Sequence, residues 1–217
     1  MSGGKDSDAM LRHLAALHRS QQWPGPLFAI TAELGRIEWP GTLEHIRSVC
    51  FQTGIKLVVV QQQRAAIALA EEGEAIAPER EGDKPFWSSS AARYCTKELK
   101  TAEVDRYLRR FPSVVCAVGI RAEESSSRAK KPSFPVRNDI TTVSLKASKG
   151  LNAKEHERWA EEAIARWEGS DRTGRLALTW NAILDWPLEQ VWETLGTSEE
   201  TWSTDALCMA LGTLQRR

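Results

Sequence analysis

Apolar residues in this chain follow a helical rhythm in some segments and form short uninterrupted runs in others. Met10, Leu11, Leu14 and Leu17 recur at helical spacing, which predicts an amphipathic helix over residues 7–19. The short apolar runs have the length of buried strands. These predicted strands cover residues 27–32, 56–60 and 113–120.

Helical patterns separate the predicted strands and follow the last of them. Leu43, Ile46 and Cys50 share one helical face. Further helices are predicted over residues 64–73, 96–110, 153–168 and 187–195, and loops over residues 74–92 and 121–150. This alternation predicts an α/β domain with an open, mostly parallel sheet flanked by helices. We assign residues 1–217 to one domain, with a core of about residues 1–145 and a helical C-terminal part of about residues 150–217.

Composition narrows the class of protein without indicating a function. The 217 residues hold 29 Lys and Arg against 29 Asp and Glu, and no apolar run approaches the ~20 residues of a membrane span. The cysteines, Cys50, Cys95, Cys116 and Cys208, form no CxxC pair, which argues against a disulfide-stapled or zinc-ribbon protein. We therefore expect a protein of the reducing cytoplasm that has no membrane partner.

Charge is distributed unevenly within this neutral total. Residues 84–150 carry 14 Lys and Arg against 6 Asp and Glu. Such a basic centre is typical of an anion site, although a nucleic-acid partner and an ordinary solvated surface both stay open. A nucleic-acid partner would be recognised by the steep salt dependence of its binding.

The sharpest candidate for chemistry is the N-terminal stretch Ser2-Gly3-Gly4-Lys5-Asp6-Ser7. Two glycines let the backbone turn tightly, and the helix that follows adds unpaired N–H groups and its positive end. The hydroxyls of Ser2 and Ser7 can donate hydrogen bonds, and Lys5 supplies a positive charge. Asp6 is a candidate to begin the helix or to help hold Mg²⁺. This stretch, which we call the glycine loop, is therefore predicted to bind phosphate.

The position of the glycine loop bears on the sheet. A loop of this kind normally follows a strand at the carboxyl edge of the sheet. Here it begins at residue 2. We therefore expect that the first strand of the sheet is missing from this chain and that the protein has poor stability.

Three further segments carry charged or aromatic residues in motif-like arrangements. They are Arg93-Tyr94-Cys95-Thr96-Lys97-Glu98-Leu99-Lys100, Gly119-Ile120-Arg121-Ala122-Glu123-Glu124-Ser125-Ser126-Ser127-Arg128, and Trp180-Asn181-Ala182-Ile183-Leu184-Asp185-Trp186 with Val191-Trp192. Arg121 and Arg128 follow a predicted strand, so they are candidates to bind phosphate or sulfate, with solvated surface arginines as the alternative. If this segment is helical, Arg93, Lys97 and Lys100 share a face for a polyanionic substrate, with ordinary solubilising side chains as the alternative.

Cys95 is the cysteine with the most reactive surroundings in the sequence. The neighbouring cations Arg93, Lys97 and Lys100, together with the start of a helix, would favour its thiolate. A nucleophilic or sulfur-carrying role, a share in an iron–sulfur cluster and a buried structural thiol all stay open.

Other candidates have a simpler structural interpretation. His45 is predicted to be an ordinary half-buried helix histidine. The remaining residues of this kind are predicted to pack in the core: Cys50, Cys116, Trp180, Trp186 and Trp192. For the three tryptophans, stacking on a nucleobase is the alternative.

The glycine loop and the three later segments resemble, in this order, the PP-loop superfamily of adenine nucleotide α-hydrolase-like enzymes, and within it the branch of phosphoadenosine phosphosulfate (PAPS) reductase. They are similar to its SGGxDS, R-x-C-T-x-x-x-K, G-x-R-x-x-E-S-x-x-R and W-x-P-I-x-D-W…V-W segments. The resemblance implies that the loop binds the phosphates of ATP or PAPS and that Glu33 lies near the nucleotide. It implies an enzyme of pyrophosphate-releasing adenylylation or of sulfur transfer, with a sulfur donor or thiol reductant protein as partner. Lys5, Asp6 and Cys95 are then the candidate catalytic residues.

Two departures from the family pattern affect the chemistry that the resemblance implies. The given sequence ends without the Glu-Cys-Gly tail of assimilatory PAPS reductases, and Cys95 is followed by Thr96, so the cysteine set for an iron–sulfur cluster is incomplete. Two functions follow as alternatives. One is the enzyme just described, and the other is a catalytically degenerate module that binds a nucleotide or nucleic acid, as in DNA phosphorothioation or mobile-element systems.

Overall fold

Helices and strands alternate along the chain, as the sequence predicts. The computed structural model describes residues 1–33, 41–61, 100–143 and 151–202, to which all structural statements refer. In chain order the elements are α1 (Lys5–Gln21), β1 (Phe28–Glu33), α2 (Thr42–Thr53), β2 (Lys56–Gln61), α3 (Ala102–Leu108), β3 (Ser113–Ala117), a 3₁₀ turn (Ala122–Glu124), α4 (Ser126–Ala129), α5 (Ala153–Gly169), β4 (Leu176–Trp180) and α6 (Leu188–Leu195). The prediction of an α/β fold is confirmed.

The described strands associate in two parallel pairs. β1 pairs with β2, with Ile30 opposite Val58, and β3 pairs with β4. Parallel pairing is therefore confirmed, although the described strands form two pairs and not one continuous sheet. The backbone of Met1 adjoins the first pair, because its amino group donates to the carbonyl of Ile30 and its carbonyl accepts from Thr31 Oγ1 at 3.0 Å. The glycine loop thus starts beside β1.

Helix α1 connects the two strand pairs through two different faces. On one face Leu11 packs in a buried cluster with Ala29 of β1 and Ile46 of α2. On the other face Met10 and Leu14 pack in a cluster that includes residues next to β3 and β4. Burial of each such side chain contributes about 1.5–3 kcal/mol. The start of α1 is therefore held in place from both sides.

Several predicted segments differ from the structure or lie outside its described residues. The helix predicted over residues 64–73 and the loop over residues 74–92 lie outside. Helix α3 lies within the predicted helix 96–110, of which residues 96–99 lie outside the described residues, and the predicted loop 121–150 contains the 3₁₀ turn and α4. The division of the domain near residues 145–150 stays a prediction.

Strand β4 has no counterpart among the sequence predictions. Leu176, Ala177 and Leu178 are buried in it, and the backbone turns before it through positive φ angles at Arg172 and Gly174. An apolar run directly after a turn was the available signal for this strand. The run has only five residues, Leu176–Trp180.

Candidate phosphate-binding site

The glycine loop makes a tight turn that leads directly into α1. Gly3 has a φ of 74°, and a Cβ there would lie 2.9 Å from Thr42 Cγ2. This position therefore needs glycine both for its left-handed backbone and for its close packing against α2. Inside the turn Ser2 Oγ donates to Ser7 Oγ at 3.2 Å, and Ser7 Oγ donates to the carbonyl of Gly4 at 2.8 Å.

The first turn of α1 presents backbone donors that have no partner within the helix. Gly4 is the N-cap, and no side chain caps the helix from that position. The first intrahelical bond runs from the N–H of Asp8 to the carbonyl of Gly4 at 3.1 Å. The N–H groups of Lys5, Asp6 and Ser7 therefore point out of the helix end, where the helix dipole favours an anion. This geometry suits the oxygens of a phosphate.

Two oppositely charged side chains stand at the same helix end. Lys5 Nζ lies 3.3 Å from Asp6 Oδ2 and 6.0 Å from the centre of the Trp192 ring on α6. Asp6 Oδ1 accepts a hydrogen bond from Arg121 Nε at 2.7 Å. The Lys5 side chain is 31% exposed, so its ammonium group is accessible to a ligand. Asp6 is the more enclosed of the two and lies between two cations.

Arg121 belongs to the segment that follows β3 and is only 5% exposed. Besides Asp6, its guanidinium reaches Glu123, whose Oε2 accepts from Arg121 Nη1 at 2.8 Å. The same Glu123 oxygen accepts from the backbone N–H of Leu188, the first residue of α6, at 3.1 Å. The structure thus pairs Arg121 with two carboxylates. Direct phosphate contact by Arg121 stays a prediction.

Gly119 lets the segment after β3 approach the start of α1. A Cβ at Gly119 would lie 3.0 Å from the carbonyl oxygen of Asp6 and 3.2 Å from the Cα of Ser7. Both are backbone atoms, which cannot move aside as a flexible side chain can. The glycine of the G-x-R segment is therefore explained by contact with the glycine loop itself.

Arg128 is paired with an acidic neighbour. Its Nη1 forms an ion pair with Glu124, and Glu124 also accepts from the backbone N–H of Arg121 at 2.9 Å. Partial burial would raise the pKa of Glu124, but the hydrogen bonds from Arg121 and Arg128 outweigh it and lower that pKa. The role of Arg128 in phosphate binding stays a prediction.

A buried pair that the sequence did not indicate lies behind the loop. Asp8 is fully buried on α1, and its Oδ2 accepts a hydrogen bond from His45 Nε2 of α2 at 2.6 Å. This hydrogen bond raises the pKa of His45 despite the opposing effect of burial. The ring of Trp202 meets His45 edge-on, with centres 5.5 Å apart. His45 is half-buried, as predicted, and its partner could not be identified because Asp8 belongs to no recognisable motif.

The other predicted site residues are only partly accounted for. Glu33 ends β1 and is half-buried, and Lys100 is the first described residue of the helical segment that contains α3. Arg93, Cys95 and Lys97 lie outside the described residues. The roles proposed for these residues stay predictions.

Four of the five residues predicted to pack in the core do so, and Trp192 lies at the candidate site instead. Cys50 is buried, and Cys116 packs at the edge of another cluster. Trp180 and Trp186 pack against Met10, Leu14 and Ile183, in agreement with a core role. Trp192 differs, because it lies beneath the ammonium group of Lys5 at the candidate site.

Neither a Mg²⁺ site nor an iron–sulfur site is formed among the described residues, and Cys95 and Cys208 lie outside them. No group of three or more His, Cys, Asp or Glu side chains suited to a metal ion occurs among them. Asp6 faces two cations, which is unlike a Mg²⁺ ligand. Burial raises the pKa of both Cys50 and Cys116, which disfavours the thiolates that an iron–sulfur cluster needs. The roles of Mg²⁺ and of an iron–sulfur cluster stay predictions.

The fold and the site together define a class of protein. Parallel strands, a glycine loop and an uncapped helix start are the arrangement of a PP-loop nucleotide-binding protein. A family model, the phosphoadenosine phosphosulfate reductase domain, matches residues 1–202, and the chain belongs to this family. The comparisons with curated proteins and with solved structures find no match. Within the described ranges, no helix has the length and apolar character to cross a membrane.

Proposed function

We propose that the glycine loop binds the phosphates of an adenylyl nucleotide, either ATP or PAPS. The observation that carries this proposal is the start of α1, where N–H groups without intrahelical partners stand beside the accessible ammonium group of Lys5. Such a helix end favours phosphate through both its donors and its dipole. Membership of the PAPS reductase domain family supports an adenine nucleotide as the carrier of that phosphate.

We further propose that the protein is an enzyme of adenylylation or of sulfonucleotide chemistry. In adenylylation, the acceptor bonds to the α-phosphorus of ATP while the bond to the β-phosphate oxygen breaks and pyrophosphate leaves. The loop N–H groups and Lys5 would stabilise the negative charge that develops on the leaving pyrophosphate. In the sulfonucleotide reaction, the thiol would come from Cys95 or from a partner protein that donates sulfur or reducing equivalents.

Equilibrium titration of the protein with ATP and with PAPS tests this proposal. Lys5→Ala removes the positive charge at the loop, and we expect the affinity of the preferred nucleotide to fall at least about tenfold. Lys56→Ala is the matched control, because Lys56 is exposed and begins β2, at the strand end opposite the carboxyl edge. The control should bind like the wild type.

The preferred ligand separates the two chemistries. Tighter binding of PAPS, lost in Lys5→Ala, would indicate sulfonucleotide chemistry. Tighter binding of ATP would indicate adenylylation and predicts that the wild type releases pyrophosphate. If the folded protein binds neither nucleotide, the proposal is wrong, and the degenerate module becomes the better description.

A further inference from the structure

Glu123 connects two segments that both reach the glycine loop. Its Oε2 accepts a hydrogen bond from Arg121 Nη1 at 2.8 Å and a second one from the backbone N–H of Leu188 at 3.1 Å. The first bond orients the guanidinium whose Nε donates to Asp6 at 2.7 Å. Arg121 is 95% buried, and its guanidinium is bonded to the carboxylates of Asp6 and Glu123. The position of this side chain is therefore closely determined.

The second connection runs through α6. The N-cap of this helix is Pro187, which has no side-chain hydrogen-bonding group, so the Glu123 carboxylate provides an acceptor at the positive helix end. Val191 of α6 is fully buried. The next residue, Trp192, places its ring 6.0 Å from Lys5 Nζ. The position of α6 therefore affects the side chain of Lys5.

In place of the direct phosphate contact expected for Arg121, we propose that Arg121 and Glu123 are positioning residues that hold the glycine loop in its binding geometry. Arg121 orients Asp6 and offsets a negative charge that would otherwise repel phosphate. Glu123 holds Arg121 on one side and α6, with Trp192 beneath Lys5, on the other. The identity of the bound ligand rests on the proposed function, whereas the positioning does not.

Positioning and simple electrostatics predict opposite results when Glu123 is replaced. Glu123 carries a negative charge near an anion site and is 54% exposed. If only its charge mattered, removal would strengthen nucleotide binding. If it positions the loop, removal weakens binding, although the site becomes less negative. The sign of the change therefore distinguishes the two effects.

The test compares Glu123→Ala and Glu123→Gln with the wild type in two measurements. One is the affinity for ATP and for PAPS, and the other is hydrogen exchange of the amides of residues 2–8 without nucleotide. The Gln side chain still offers an oxygen to Arg121 and Leu188, so it should restore most of what Ala loses. We expect Glu123→Ala to weaken binding about tenfold and to accelerate exchange in residues 2–8. Glu189→Ala is the matched control, because Glu189 is an exposed carboxylate in the same first turn of α6.

Each outcome decides the proposal. Unchanged or tighter binding by Glu123→Ala, with exchange like that of the wild type, would overturn it. If the wild type binds neither nucleotide, the proposed function fails alone. Faster exchange of residues 2–8 in Glu123→Ala then still supports the positioning role, and exchange like that of the wild type overturns it. Arg121→Lys provides a second variant, since it keeps the charge but lacks the planar group that reaches Asp6 and Glu123 together. It should resemble Glu123→Ala in both measurements.

Discussion

Side chains in the first turns of α1 form hydrogen bonds and ion pairs with residues from distant segments of the chain. Asp6 lies between Lys5 and Arg121, and Asp8, two residues later, is buried against His45. The spacing of Asp6 and Asp8 places them on different sides of α1. Asp6 therefore faces the loop, while Asp8 joins α1 to α2 behind it.

The pair of Asp8 and His45 makes stability depend on pH. Its hydrogen bond raises the pKa of His45 in the folded protein above the ordinary value of about 6.5, whereas burial and the nearby charge of Arg12 oppose this effect. The stabilisation is therefore complete below pH ~6.5 and is lost as the pH rises through the raised pKa. We expect the free energy of unfolding of the wild type to decline over this range relative to that of His45→Gln.

Denaturant unfolding at a series of pH values measures this difference. His18→Gln is the control, because His18 lies near the opposite end of α1, where its ring contacts the carbonyl of Gly25. It should keep the pH dependence of the wild type. A pH profile of His45→Gln that parallels the wild type would show that the pair does not contribute to stability.

At the scale of elements, the pattern of apolar residues predicted helices and strands correctly where a helical repeat was long or an apolar run was uninterrupted. The pattern from Met10 to Leu17 identified α1, and the run at residues 56–60 identified β2. Strand β4 was missed because its apolar run is short and overlaps the tryptophan motif. The glycine loop was identified because its chemistry is local, whereas the link from Glu123 to Leu188 joins residues 65 positions apart, which no spacing rule relates.

We expect that helix α5 can be destabilised without a change at the candidate site. Asn152 Oδ1 accepts from the N–H of Glu155 at 3.0 Å, and Glu155 Oε2 accepts from the N–H of Asn152 at 2.7 Å. Loss of such a cap in Asn152→Ala should reduce the free energy of unfolding by about 1 kcal/mol. Since α5 packs on β4 through Trp159 and Ala163, nucleotide affinity should not change.

Thermal or denaturant unfolding of Asn152→Ala beside Asn152→Asp checks this prediction. Asp keeps the capping oxygen, so that variant should be about as stable as the wild type. Equal stability of all three proteins would show that the cap is unimportant. A loss of nucleotide affinity in Asn152→Ala alone would show that α5 and the site are coupled.

At the scale of the whole molecule, four arginines of the basic centre form ion pairs with carboxylates. In the described residues 100–143, arginines pair with carboxylates: Arg106 with Glu103, Arg121 with Asp6 and Glu123, Arg128 with Glu124, and Arg137 with Asp105 and Asp139. Paired arginines have less potential to replace the counterions of DNA. We therefore expect these four arginines to contribute little to the binding of a nucleic-acid duplex.

We accordingly expect weak binding to duplex DNA with a shallow dependence on salt. Fluorescence anisotropy of a labelled duplex, measured between 50 and 200 mM salt, checks this expectation. A protein that neutralises many phosphates would lose at least about a thousandfold in affinity over this interval. Such a loss would contradict this expectation and would indicate that cations of residues 84–150 bind the phosphates of DNA.

The contact of Gly119 with Asp6 has a consequence for the order in which the protein matures. Asp6 and Arg121 are 115 positions apart, so the loop cannot acquire its final geometry from the N-terminal third of the chain. Contacts of such separation form slowly, because closing the long intervening segment costs entropy before the contact stabilises the fold. We therefore expect the phosphate loop of a nascent chain to lack these contacts until the segment around Leu188 has been synthesised.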